Sequence, residues 1–117
     1  MTKKQLFIRK PIPLEAYQWF KNGNHPLDNV LPTVGPRGKL WYSEGKVVKY
    51  YKVQDGLGLN KCQHCNNIMN HHGWIATLEG GHIVCPGDWI VQGVKKEFWP
   101  VKPDIFEITY EKVLDVQ

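Results

Sequence analysis

The chain has 117 residues, 22% of them charged, with 15 Lys plus Arg against 11 Asp plus Glu and a formal net charge of +4. This length suits one domain, residues 1–117, with a modest core, and the charge falls well short of that of a dedicated duplex binder. No apolar run approaches the roughly 20 residues of a membrane span, and the opening "MTKKQLFIRKPIPLEAYQWF" lacks the continuous apolar segment of a signal peptide, so a soluble, cytosolic protein is expected.

In chain order, 11 Gly and 8 Pro cut the sequence into short pieces without a sustained helical period. "IPLEAYQWF" reads as a strand, with Leu14 and Ala16 on one face and Tyr17 and Trp19 on the other. "NHPLDNVLP", residues 24–32, reads as a short helix stopped by Pro32. "GPRGK" is a loop, and "LWYSEGKVVKYYKV" reads as a hairpin turning near residues 43–45. "QDGLGLN" is a connector. "WIATLE" and "HIV" flank Gly80-Gly81, read as a two-residue hairpin turn. "CPGD" fits a type II turn with Gly87 at the position of positive φ. "WIVQGV" and "EFWPV" form a further pair turning at Lys95 and Lys96. "KPDIFEI" opens with a Pro-Asp suited to a short helical turn, and residues 110–113 read as a final strand. The expected architecture is mainly β: a small, strongly bent antiparallel sheet or partly open barrel, with one or two short helices and a zinc-knuckle insertion at about 60–75.

Every cysteine, and every histidine except His25, lies between residues 62 and 85. In the cytosol such thiols are more often metal ligands than disulfide partners, and three cysteines cannot all pair within one chain. Zn²⁺ takes four soft or borderline ligands, and a Cys-x2-Cys turn presents two thiolates at the needed separation. Cys62 and Cys65 have that spacing. Asn66 and Asn67 follow, and Asn tolerates the left-handed backbone that such a knuckle uses. The preferred set is Cys62, Cys65, His72 and Cys85, in the pattern Cys-x2-Cys-x6-His-x12-Cys. Four protein ligands leave no place for water, so this Zn²⁺ is expected to be structural. His71 is the alternate for His72, and His82 for Cys85; on an extended strand His82 and Cys85 face opposite sides. Two other readings compete. Cys85 is a buried strand-end residue among surface histidines, or "CQHC" is a redox pair, although its polar flanks do not suit the strand-then-helix context of such pairs.

No catalytic set is legible. The zinc-deaminase order of ligands is reversed here, and His-Glu-x-x-His, a nucleophile elbow and a Walker loop are all absent. "KVVKYYK" interleaves cations with rings, a combination that stacks and neutralises nucleotides or single strands; the alternative is an ordinary solvated strand. Tyr50, Tyr51 and Lys52 on this stretch, with Lys95, Lys96 and Trp99 at the later hairpin, are the candidate ligand-binding residues. The five tryptophans are expected mostly in the core, and Asp88 is expected to accept backbone hydrogen bonds in its turn.

"TLEGGHIVCPGDWIVQGVKKEFWPVKPDIFEITYEKV", residues 77–113, resembles a family of small phage and prophage proteins marked by a Pro-Gly-Asp-aromatic (PGDYG-like) motif. "IRKPIPLEAYQW" resembles the family's opening strand. The resemblance covers somewhat under half the chain and rests on Thr-Leu-Glu-Gly, Pro-Gly-Asp-Trp and Lys-Pro-Asp-Ile-Phe-Glu in order. It departs at Lys96, where the family usually places Gly. The resemblance implies a compact β-rich phage accessory protein in the host cytoplasm, with the Cys-x-x-Cys and His-Gly-Trp segment an accessory found in some relatives. The family has no assigned activity and passes on no functional residue.

The expected function is therefore non-enzymatic binding: a host-defence inhibitor that binds a defence protein or sequesters a small phosphate-bearing signal, stiffened by structural Zn²⁺, away from membranes and with homo-oligomers allowed. The alternatives are a nucleic-acid-binding module and a zinc-dependent enzyme acting on a nucleotide.

Overall fold

The computed structural model describes residues 2–52 and 57–113. Its elements are β1 (Glu15–Gln18), β2 (Pro32–Val34), β3 (Leu40–Tyr42), β4 (Lys49–Tyr50), β5 (Gly73–Thr77), β6 (Gly80–Val84), β7 (Trp89–Gln92), β8 (Phe98–Val101) and α1 (Pro103–Thr109). The protein is mainly β, as expected, and its strands are shared among three small antiparallel sheets ordered β1-β7-β8, β2-β3 and β4-β5-β6. A short 3-10 turn, Met69–His71, leads into β5. Among the described residues no helix is long and apolar enough to cross a membrane.

The core lies between the two three-stranded sheets. Trp19, Val48, Ile75, Val84 and Ile90 form one cluster, with Val47 and Phe98 against it. The radius of gyration is 17.2 Å, against about 13 Å for a compact chain of this length. The extra extent has a visible source. Leu6, Phe7 and Ile8 are 86–92% exposed in an arm before β1, and every residue of strands β2 and β3 is exposed. With so little interior, only Trp19 of the five tryptophans is buried, which corrects the expectation that most are core. Three of the others use their faces instead: Trp89 stacks on Phe106 at 4.3 Å, Trp74 on Tyr51 at 6.0 Å, and Lys39 sits 4.7 Å over Trp41.

Four local expectations need correction. Residues 24–31 form turns and bends and Pro32 opens β2, because the His25 side chain satisfies a local backbone group and the Asp28 side chain is taken up by the distant Val47 and Val48 amides. The Leu27 N–H donates to His25 Nδ1 at 3.1 Å, the Asp28 carboxylate turns inward, and Asn29 takes φ 50°. Residues 40–52 are not a hairpin: β3 pairs with β2 around a 3-10 turn at Pro36–Gly38, whereas β4 pairs with β5. The Glu44 carboxylate accepts the Tyr50 N–H at 3.0 Å, so this stretch makes a side-chain bond where a ladder was expected. Val53 and residues 54–56 of the connector expected over 54–60 lie outside the described residues. The β5–β6 turn falls at Leu78 and Glu79, with Gly80 (φ 114°) opposite Thr77, because the Trp74 ring covers Gly81 and keeps it in the ladder. Residues 110–113 form no strand; Tyr110 instead stacks on Phe106 at 4.8 Å.

The two turns read from Pro and Lys residues stand where expected. The Asp88 N–H donates to the Cys85 carbonyl at 3.0 Å, and Gly87 takes φ 99°. A β-carbon at Gly87 would meet only Pro103 Cγ at 3.7 Å, so the cost of substitution is conformational. Gly87→Val is expected to destabilise by about 1–3 kcal/mol in urea unfolding; an unchanged midpoint would show that the turn relaxes freely. In the β7–β8 turn, the Lys96 N–H donates to the Gly93 carbonyl at 3.0 Å and Lys96 takes φ 64°. This is a type I turn closed by a left-handed residue, the position that favours Gly. Lys96→Gly is accordingly expected to raise stability by up to about 1 kcal/mol, read as a higher melting temperature; a lower one would contradict the strain.

Candidate metal centre

The knuckle is built from its own backbone. The Cys62 N–H donates to the Asn67 carbonyl at 2.8 Å, the Asn66 N–H donates to the Cys62 carbonyl at 3.0 Å, and Lys61 bridges to Ile68 across the base. Asn66 takes φ 63°, as the tolerance of Asn for that region suggested. This fold-back places Cys62 and Cys65 on one side of the loop. The 3-10 turn then swings His72 back to them, and the end of β6 delivers Cys85 from the core.

The four ligand atoms of Cys62, Cys65, His72 and Cys85 all lie within 4.8 Å of one another. Cys62 Sγ is 3.9 Å from Cys85 Sγ, and Cys65 Sγ is 3.2 Å from His72 Nε2. Cys62, His72 and Cys85 are buried, and all three cysteines are free thiols. These atoms form a group that could hold a metal ion.

The surroundings fit that role. His72 Nδ1 lies 3.0 Å from the Ile68 carbonyl, so an Nδ1–H donating there leaves the Nε2 lone pair facing the sulfurs, the arrangement metal-bound histidines use. The His64 N–H points at Cys62 Sγ at 3.4 Å. Lys102 Nζ donates to Cys85 Sγ at 3.0 Å and to Asp88 Oδ2 at 2.9 Å, and Asp88 Oδ2 also accepts the Cys85 N–H at 2.9 Å. Asp88 is thus the turn acceptor expected of it, with Lys102 added as an ion-pair partner.

The thiols respond differently to these neighbours. At Cys62 burial opposes ionisation, but the N–H groups of His64 and Cys65 and the contacts to Cys85 and Cys65 outweigh it and hold the thiol below its ordinary value. At Cys85 burial dominates and pushes the thiol up to about 12, with Lys102 offsetting only part of it. Lys102 is itself held above its ordinary range: burial opposes the charge, but Cys85 and Asp88 prevail. A bound cation would bring both sulfurs to the thiolate form.

His71 and His82, the alternates, are exposed and stand outside the group. His82 is paired with Ile75 in the β5–β6 ladder. Among the ligand-binding candidates, Tyr50 is on β4, with Tyr51 and Lys52 directly after it, in the β4-β5-β6 sheet region. Lys95 and Lys96 are exposed in the β7–β8 turn, and Trp99 is half-buried on β8 in the β1-β7-β8 sheet. Sequence reasoning missed Lys102. Nothing in "KPD" marks it, since its role depends on β8 ending beside the Cys85 turn. It also missed Lys21 and Asn22, which follow β1 and come close to β4 only in the fold. Compared with protein-family models, curated proteins and solved structures, the chain matches none.

Proposed function

We propose that the chain is a non-enzymatic binding protein whose knuckle is held by one structural Zn²⁺ on Cys62, Cys65, His72 and Cys85. The observation that carries this reading is the convergence of three sulfurs and one imidazole nitrogen within 4.8 Å. Soft thiolate with imidazole favours Zn²⁺ over the oxygen-seeking cations. When bound, the ion supplies cross-linking: it ties the loop to the end of β6, which has no other strong hold on it. Four protein ligands fill a tetrahedral shell, so no position remains for a reacting water.

The Pro-Gly-Asp-aromatic resemblance supports placing the protein among phage accessory proteins of the host cytoplasm. Its target there is a host defence protein or a small phosphate-bearing signal. The test has two parts. Elemental analysis of protein purified without chelators is expected to give about one zinc per chain, and Co²⁺ substitution to give the intense visible bands of a tetrahedral thiolate site. Native mass spectrometry of protein taken from infected cells is expected to show a retained ligand or partner. Absence of both zinc and iron would overturn the metal reading, and zinc-dependent turnover of a nucleotide would overturn the non-enzymatic one.

A further inference from the structure

Beside the knuckle lies a cleft of about 450 Å³, in the size range of small-ligand sites. Four separate parts of the chain line it: the turn after β1 with Lys21 and Asn22, strand β4 with Lys49 and Tyr50, the knuckle with Asn70 and His71, and Pro86 in the turn after β6. Among the described residues that line it there is no carboxylate. Among the described residues, neither Lys21 nor Lys49 is in an ion pair. Two unneutralised ammonium groups lining one concavity attract an anion.

The aromatic part is held in place beforehand. The Tyr50 hydroxyl donates to the Tyr42 carbonyl at 2.5 Å and accepts from Asn22 Nδ2 at 3.2 Å, while the residue stays 45% exposed. Asn22 is itself fixed, since its Oδ1 accepts the Gly45 N–H at 3.1 Å. A ring locked through its hydroxyl and still partly open to solvent is a stacking platform that loses little entropy on binding.

We infer that this cleft binds a nucleotide: phosphate oxygens at Lys21 and Lys49, and the base against Tyr50. The inference rests on the reading of the chain as a binding protein, and it gives the knuckle a purpose. Asn70 and His71 form one wall only while the loop is folded, so the metal shapes the cleft without touching the ligand. Of the adjacent histidines, His72 belongs to both the metal group and the cleft lining, and His71 to the cleft alone.

The experiment is calorimetric titration of zinc-loaded protein with AMP, GMP, CMP and UMP, with adenosine, inorganic phosphate and a short dT oligonucleotide as further probes. At least one monophosphate is expected to bind, with adenosine and inorganic phosphate each at least about tenfold weaker. The double variant Lys21→Glu/Lys49→Glu is expected to lose at least about tenfold in affinity at unchanged zinc content and melting temperature. The chelated protein is expected not to bind. Failure of all four monophosphates, or an unchanged affinity in the double variant, overturns the inference. Preference for the oligonucleotide with steep salt dependence overturns it in favour of a nucleic-acid surface. Zinc content is measured on the same samples, so a zinc-loaded protein that binds no nucleotide removes the cleft and leaves the metal reading standing, whereas a protein without metal removes that reading on its own.

Discussion

Replacing Cys62 or Cys85 with serine is expected to cost at least about 3 kcal/mol and to release the metal, on the scale of losing a structural ion. The reason is how little else holds the knuckle. Of residues 57–71, only Cys62 is buried. The loop therefore has backbone hydrogen bonds and a single isolated bridge to hold it, with no apolar core beneath. Cys85 is 1% exposed at the end of β6, so the metal would join a loop that cannot stabilise itself to a strand that can. Serine keeps the size and loses the thiolate. Cys65→Ser is expected to behave the same way, because its sulfur faces His72 Nε2. By contrast, His71→Ala and His82→Ala should leave zinc content and melting temperature nearly unchanged, since both side chains are exposed and outside the group. Zinc content and urea unfolding of the five variants provide the check. A sharp loss in His82→Ala alongside a mild effect in Cys85→Ser would move the fourth position to the histidine.

Asp28→Ala is expected to destabilise by about 3 kcal/mol, as one buried and one part-buried donor lose their acceptor at once. Asp28 is fully buried, and its Oδ1 accepts the N–H groups of Val47 at 2.9 Å and Val48 at 3.0 Å. Its carbonyl accepts the Lys46 N–H at 3.0 Å. The side chain thus replaces a strand partner over the segment that carries Val48 into the core and leads to Lys49 and Tyr50. Asp28→Asn keeps an acceptor for both donors and should cost about 1 kcal/mol. Gly45→Ala should resemble Asp28→Ala, because a β-carbon there would stand 2.4 Å from Asp28 Cγ, which has no room to retreat. Urea unfolding decides the matter. A change below about 0.5 kcal/mol in Asp28→Ala, the scale of an ordinary surface substitution, would mean that water reaches the Val47 and Val48 amides. Any nucleotide affinity should fall in this variant too, since the cleft's Tyr50 wall would loosen with β4.

What the sequence could express was chemistry at short range. The Cys-x2-Cys spacing, the Asn after it and the Pro-Gly turn each depend on a few neighbouring residues, and each has its expected form at Cys62 and Cys65, Asn66 and Gly87. The mainly β class was legible for the same reason: β-branched and aromatic runs broken by Gly and Pro admit little else. Even the fourth and most distant member of the metal group, Cys85, could be proposed, because few soft ligands were available.

Strand partnership was decided at long range. Residues 40–53 look like a hairpin, yet Asp28 and Glu44 supply side-chain acceptors to the amides before and within β4, leaving β4 free to pair with β5 and β3 with β2. The burial of Asp28, the meeting of Lys102 with Cys85 and the joining of Lys21, Asn22 and Tyr50 around one cleft likewise depend on residues far apart in the chain. No local pattern encodes them, because each joins segments that only the pairing and packing of the two three-stranded sheets bring together.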